Sequence, residues 1–206
     1  MHIGQNLSSH ALSFFHLSAP DFLLGYDSDP AKRNIIGIAE KYPDIAVRGI
    51  RLRKFGQELS ERITGKKIHI MGIVPGGMAY PLLEWIPEAI ETVQLGLKII
   101  KKFHEENAAM VNSFATSPTL YLGTVGPNGE HELYDGKLRF IDAEGNILQD
   151  QLSPEKYLDF IAERSVEWSF LKYPYYKPFG FDKGFYRVGP LARLNVCTKM
   201  RTPLAQ

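Results

Sequence analysis

The chain has 206 residues, 44% of them hydrophobic and 23% charged, and 24 Lys and Arg against 23 Asp and Glu give a formal charge of +1. That length allows a sizeable core, and the charge balance gives no electrostatic footprint for nucleic acid or an anionic membrane. A single cysteine, Cys197, excludes an internal disulfide and a CxxC metal knuckle.

The first seventeen residues predict a helix with Ile3, Leu7, His10 or Ala11, and Phe14 on one stripe. Its abrupt apolar start looks like a cut through a larger chain, and Ala19-Pro20 is expected to end it. Asp29-Pro30 predicts a helix start, an N-cap carboxylate with proline behind it, for the short segment AKRNIIGIAEKY. After Pro43 a longer helix is expected from Asp44 to Thr64, with Gly65 as its C-cap. The stretch Gly65–Gly77, GKKIHIMGIVPGG, is expected to be a buried crossover ending in a tight turn at Pro75-Gly76-Gly77. Ile86, Ile90, Val93, Leu97 and Ile100 then mark the strongest helix, with Pro87 in its first turn and Lys98, Lys101 and Lys102 near its negative pole.

From Thr119 to Gln151 the pattern changes to short, partly alternating runs punctuated by Pro127-Asn128-Gly129, Asp135-Gly136 and Gly145-Asn146. This predicts an antiparallel β-meander of three or four strands, and the fold class α+β, mainly α-helical. Ser153-Pro154-Glu155 predicts another helix to about Trp168. The aromatic-rich 168–186 reads as an irregular, well-packed loop, and Val188-Gly189-Pro190 followed by Arg193 as a tight loop presenting a cation, with no terminal helix to follow.

Six histidines are present, and none forms an i, i+4 pair on one helix face. His69 lies in an apolar run, where a hydrogen-bonded structural imidazole is the simpler account. No HExxH, P-loop or dinucleotide fingerprint occurs. Arg48, Arg51, Arg53 and Lys54 form a helical cluster that is either a docking patch or a solvated face paired with Glu58 and Glu61. There is no basic N-terminal region followed by an apolar run, and no apolar run approaches the roughly eighteen residues of a membrane span. A cytoplasmic location is expected.

Five segments carry a resemblance: SHALSFFHLSAPDFLLGYDSDPAKRN (residues 9–34), GIRLRKFGQ (49–57), GKKIH with VPGG (65–77), EWSFLKYPYYK (167–177) and YRVGPLARLNVC (186–197). Together, and in this order, they resemble the large, catalytic subunit of nickel–iron hydrogenases, most of all the bidirectional NAD-reducing cytoplasmic kind. The resemblance implies a nickel–iron centre with carbonyl and cyanide ligands that splits or forms H2. It also implies partners: a small subunit with iron–sulfur clusters, and a diaphorase module with FMN that reduces NAD+.

In that family four cysteines in two CxxC motifs hold the metals, and neither motif is present in this chain. Nor is the acidic residue of the family's RxEGH-type element. The resemblance therefore implies an interior portion of the subunit, 1–206 forming a single partial domain with the meander at 119–151 as an insertion. No residue of it is assigned as catalytic, cofactor-binding or metal-ligating, and the portion alone is expected to be inactive. Ser9-His10 matches a helix passing beneath the family's active site, where some relatives carry aspartate at the position of Ser9 and a further histidine at that of Ser13. A non-catalytic scaffold related to the quinone-chamber subunit of respiratory complex I, or an NADP- or deazaflavin-linked hydrogenase branch, are the alternatives.

Overall fold

The computed structural model describes residues 1–69, 71–78, 86–113, 116–203 and 206. Tyr80-Pro81, expected to lead into the strongest helix, lies outside them. The chain divides into two compact units, Met1–Phe114 and Ala115–Gln206.

The first unit is helical. Helix α1 (His2–Ala11) passes without a break into a π-helical turn, Leu12–Ser18, and then into α2 (Ala19–Leu24). The helix does not end at Ala19-Pro20 as expected. Proline lacks an N–H and its ring crowds the carbonyl four residues back. The widened turn in front of it absorbs both problems, and the Ala19 amide bonds back to the Phe14 carbonyl. Buried positions step by four, Ala11, Phe15 and Ala19, as a wider turn requires.

The second helix start is also displaced. Asp29 closes a side-chain turn onto the Ala31 amide at 2.9 Å, and α3 (Ile35–Lys41) is capped by Asn34, whose Oδ1 accepts from Ile36 and Gly37. Helix α4 (Pro43–Thr64) has proline in its first turn and ends on Gly65 at φ 79°, as expected. A two-residue hairpin follows, β1 (Ile73–Val74) with β2 (Gly77–Met78), turning over Pro75 and a left-handed Gly76 at φ 90°. Helix α5 (Ile86–Ser113) runs well past Lys102, near which the charge pattern places its end.

Small residues decide how these helices pack. A Cβ on Gly56 would sit 2.7 Å from the Gly4 carbonyl oxygen and 2.7 Å from the Ser8 amide. A Cβ on Gly49 would overlap the Phe15 ring at 2.6 Å. The long first helix therefore lies against α4 with backbones in contact, and Ala11, Phe15 and Leu52 close the core beside Leu7, Phe14, Ile45 and Ile99. Helix α5 runs antiparallel to α4, with Gly96 over Leu52 and Arg62 paired with Glu88 at 3.7 Å.

The second unit is built on the expected meander, β3 (Leu120–Val125), β4 (Lys137–Ile141) and β5 (Ile147–Leu152), all antiparallel. The EHELY run contributes only isolated bridges, His131 with Val125 and Glu130 with Lys199.

Three expectations fail here. The predicted helix at 153–168 shrinks to a 3-10 turn and one turn of α6 (Tyr157–Phe160), then becomes strand β6 (Ile161–Val166). The predicted loop at 168–186 holds β7 (Ser169–Tyr176), which pairs with β6 across a two-residue turn at Glu167-Trp168. Strand pairing outweighs local helix propensity there, and Pro174 is tolerated because neither strand has a second neighbour in its sheet. After α7 (Gly180–Lys183) and β8 (Tyr186–Arg187), which adds parallel to β3, a terminal helix α8 (Gly189–Val196) stands where none was expected.

Strand alternation gives the sheet two faces. Leu120, Leu122 and Phe140 pack with Tyr176 on one, and Val125 and Ile141 pack with Val196 of α8 on the other. Gly123 makes room for α8, since a Cβ there would meet Val196 at 2.6 Å. Arg139 falls on the α8 face and is 5% exposed. Its Nε and Nη2 donate to the two Asp150 oxygens at 2.8 Å each, and its Nη1 donates to the Val196 carbonyl at 3.0 Å.

Replacing Gly56 with valine forces α1 off α4, so we expect a loss of roughly 1–3 kcal/mol or more in stability, read as a lower thermal midpoint. The Arg139 guanidinium, against the opposing effect of burial, holds the Asp150 carboxyl below its ordinary value of 3.8. A carboxyl depressed by folding contributes stability that is complete above its unfolded value and lost as pH falls through the folded one. Asp150→Asn should cost about 1–3 kcal/mol near neutral pH by leaving the buried guanidinium half-satisfied, less if water reaches the partly exposed partner. The gap between variant and wild type, followed by urea denaturation, should close as pH drops below 3.8.

Candidate functional site

The stretch that opens after α4 is tied down at its base and exposed beyond it. Thr64 Oγ1 lies 2.7 and 2.9 Å from the Ser60 and Lys66 carbonyls, and Gly72 packs onto the Thr64 backbone. Lys67 pairs with Glu61 at 3.5 Å. Ile68, Met71 and Val74 face solvent, and His69 is exposed with φ 58°. In place of the expected buried crossover, apolar side chains are exposed along the lead-in and on the hairpin.

The other signature stretch is equally changed. Tyr186 stands edge-on to Phe140 at 5.7 Å, Arg187 donates to Ser117 Oγ at 3.3 Å, and Gly189 opens α8 at φ 82°. Arg193 belongs to that helix rather than to a tight loop. Burial first, and then the Arg193 charge, push the His131 imidazole below its ordinary value. Cys197 is half-buried beside Val125, Ile141 and Val196, its Sγ 3.9 Å from the Leu194 carbonyl.

Ser9, His10 and Ser13 are exposed on the first helix, as are His2 and, on α5, His104. His16 sits in the π-helical turn with a buried Nδ1 that has no hydrogen-bond partner, and the same holds for Arg53 Nε on α4. Lys54 pairs with Glu58 at 3.4 Å. Arg48, Arg51, Lys54 and Glu58 face Glu88, Glu91 and Lys98 of α5 across a groove of about 540 Å³, so three of the four cations of the basic cluster lie on one bank of a mixed-charge groove.

A nickel–iron centre draws on soft thiolates. Here there is one thiol, packed among aliphatic side chains. Among the described residues no three His, Cys, Asp or Glu side chains gather where they could hold a metal. The donor set does not fit such a centre, and no chemical step is assigned to it on this chain.

What residue patterns missed is the aromatic hairpin. Trp168, Phe170 and Leu171 at its tip are almost fully exposed rather than packed in a core, while Tyr176 at its base is buried. The signal lies in the β-prone, aromatic-rich SFLKYPYY run that follows Glu167-Trp168.

The chain matches none of the family models with which it was compared. It is 44% identical over its whole length to a subunit of the F420-non-reducing hydrogenase vhu of Methanocaldococcus jannaschii, covering 51% of that protein. It is 38% identical over its whole length to the beta subunit of the NAD-reducing hydrogenase HoxS of Cupriavidus necator, covering 45%. Its fold matches a chain of an NAD+-reducing [NiFe]-hydrogenase, solved in the H2-reduced state, with a TM-score of 0.89 and 40% identity over 99% of this chain and 47% of that one. The expected α+β, mainly helical, hydrogenase-like fold is thus borne out. From end to end the chain is related to hydrogenase subunits of the nickel–iron type, and it spans about half the length of those it matches.

Proposed function

We propose that this chain is part of the catalytic, large subunit of a cytoplasmic nickel–iron hydrogenase that couples H2 oxidation and proton reduction to NAD(H). Its share is scaffold and subunit-docking surface, while the metal ligands belong to the rest of the large subunit. The observation that carries this reading is the match of 99% of the chain to one chain of an NAD+-reducing [NiFe]-hydrogenase at TM-score 0.89. The single, aliphatically packed thiol supports placing the ligands elsewhere. Exposed residues of the stretch after α4, such as Ile68, Met71 and Val74, and of the β6–β7 tip supply the docking surface, toward a small subunit with iron–sulfur clusters and a diaphorase module with FMN.

A second reading of the electron acceptor has its own support. Identity to the F420-non-reducing relative, 44%, exceeds the 38% to the NAD-reducing one. The acceptor is bound by companion subunits, so the same scaffold suits a hydrogenase with a different acceptor.

Elemental analysis of the purified chain should find nickel far below one equivalent, and viologen reduction under H2 should stay at background. Nickel at one equivalent per chain would overturn the scaffold assignment.

A further inference from the structure

We infer that residues 198–201 form a pH-operated latch on the 126–132 turn, closed at neutral pH and released when His131 gains a proton. Every part of it lies in the second unit. After β3 the chain turns through Pro127-Asn128-Gly129 and comes back bridged on one side to Val125, through His131, and on the other to Lys199, through Glu130. The Thr198 amide donates to the Gly129 carbonyl at 2.8 Å, and the His131 amide to the Lys199 carbonyl at 2.9 Å. Arg201 then reaches over the turn, 2.6 Å from a Glu132 oxygen and 3.4 Å from a Glu130 oxygen. Those two side chains are only 14% and 12% exposed, so they depend on that guanidinium and on the Tyr134 and Asn128 amides that donate to them.

The closed form thus rests on two backbone bonds and one shared cation, the kind of local structure that opens without global unfolding. The charges around the His131 imidazole oppose a further proton. Arg193 of α8 and Arg201 of the latch act on it from two sides, and Glu132, which favours the proton, is already engaged by Arg201. Lys199 acts on Glu130, and Arg139, whose guanidinium approaches Gly129, is balanced by Asp150. Burial first and Arg193 next hold the imidazole below its ordinary 6.5. Backbone hydrogen bonds chiefly hold Glu130 and Glu132 below the usual carboxylate range, so both stay anionic while His131 titrates. A histidine depressed in the closed form gives that form its full stability above 6.5 and withdraws it as pH falls toward the closed-state value. Opening carries Arg201 away and returns the imidazole to water, so proton and open latch favour each other.

Cys197, the single thiol of the chain, directly precedes the latch and is half-buried, which makes it the reporter. Its rate of reaction with dithiodipyridine, divided at each pH by that of a cysteine-containing peptide, should rise several-fold between about pH 8 and pH 5, where imidazole titrates. The rise should nowhere exceed about tenfold per pH unit, the limit for one coupled proton. In His131→Gln the corrected rate should be flat. Arg201→Gln should react faster than the wild type at neutral pH, because the clamp is gone, and show little pH dependence, because the imidazolium then meets two free carboxylates. Lys172→Gln on β7 should match the wild type. Far-UV circular dichroism checks that each variant is folded, and hydrogen exchange of the 198–201 amides, corrected for intrinsic rates, should follow the same profile. A corrected wild-type rate that does not change with pH, or a rise that survives in His131→Gln, overturns the inference.

Discussion

The second unit is organised around one buried guanidinium. Arg139 sits on the α8 face of the central strand, where water cannot satisfy it. Its two bonds to Asp150 clamp β4 to β5, and its third reaches the Val196 carbonyl at the end of α8. That carbonyl is one of the acceptors that a helix end leaves without an intrahelical donor, and a cation suits the negative pole there. One side chain therefore fixes strand register, helix position and a helix terminus together. A substitution that kept the charge but not the planar fork, such as lysine, would serve one of these at most.

In the first unit the comparable tie, Arg33 to Asp21 and the Tyr26 carbonyl, is partly exposed, and the organising device there is the absence of side chains. Gly4 and Gly56 let the long helices approach until backbone meets backbone, and Gly49 makes room for the Phe15 ring. Close approach multiplies weak dispersion contacts, and it makes the geometry intolerant of any added carbon. The two units thus reach definite structures by opposite means, one by charge-assisted hydrogen bonds and one by bare backbone.

Where structure follows local chemistry, the sequence is legible. Pro43 and Gly65 bracket α4, and Asn128-Gly129 and Gly145-Asn146 mark turns of the meander, because each acts through its own φ angle, with Gly129 at 77° and Gly145 at 88°. Legibility fails where distant partners decide. Asp29 and Asn34 are both good caps, and the helix settles on Asn34 because Asp29 is already used in its own side-chain turn. The segment after Ser153 has helical propensity, yet Ile161–Val166 pairs with the β-prone run that follows it, a partner that the propensity of 153–168 by itself leaves out. Arg139 looks like any strand cation until alternation and α8 place it inside. The signature stretches are recognisable as a set, but their surroundings are not: one proves exposed and the other helical.

The π-helical turn at Leu12–Ser18 bears on how related chains can be compared. A π turn holds one residue more than the α turn it replaces, within a helix that stays continuous on both sides. A relative lacking one residue there can close the turn to an ordinary one and keep Gly4 against Gly56 upstream. Its helix beyond would then approach Pro20 with the unrelieved carbonyl clash, unless the proline is lost as well. Length in this stretch and the identity of residue 20 should therefore vary together between homologues, a linked change that position-by-position comparison would record as two unrelated ones.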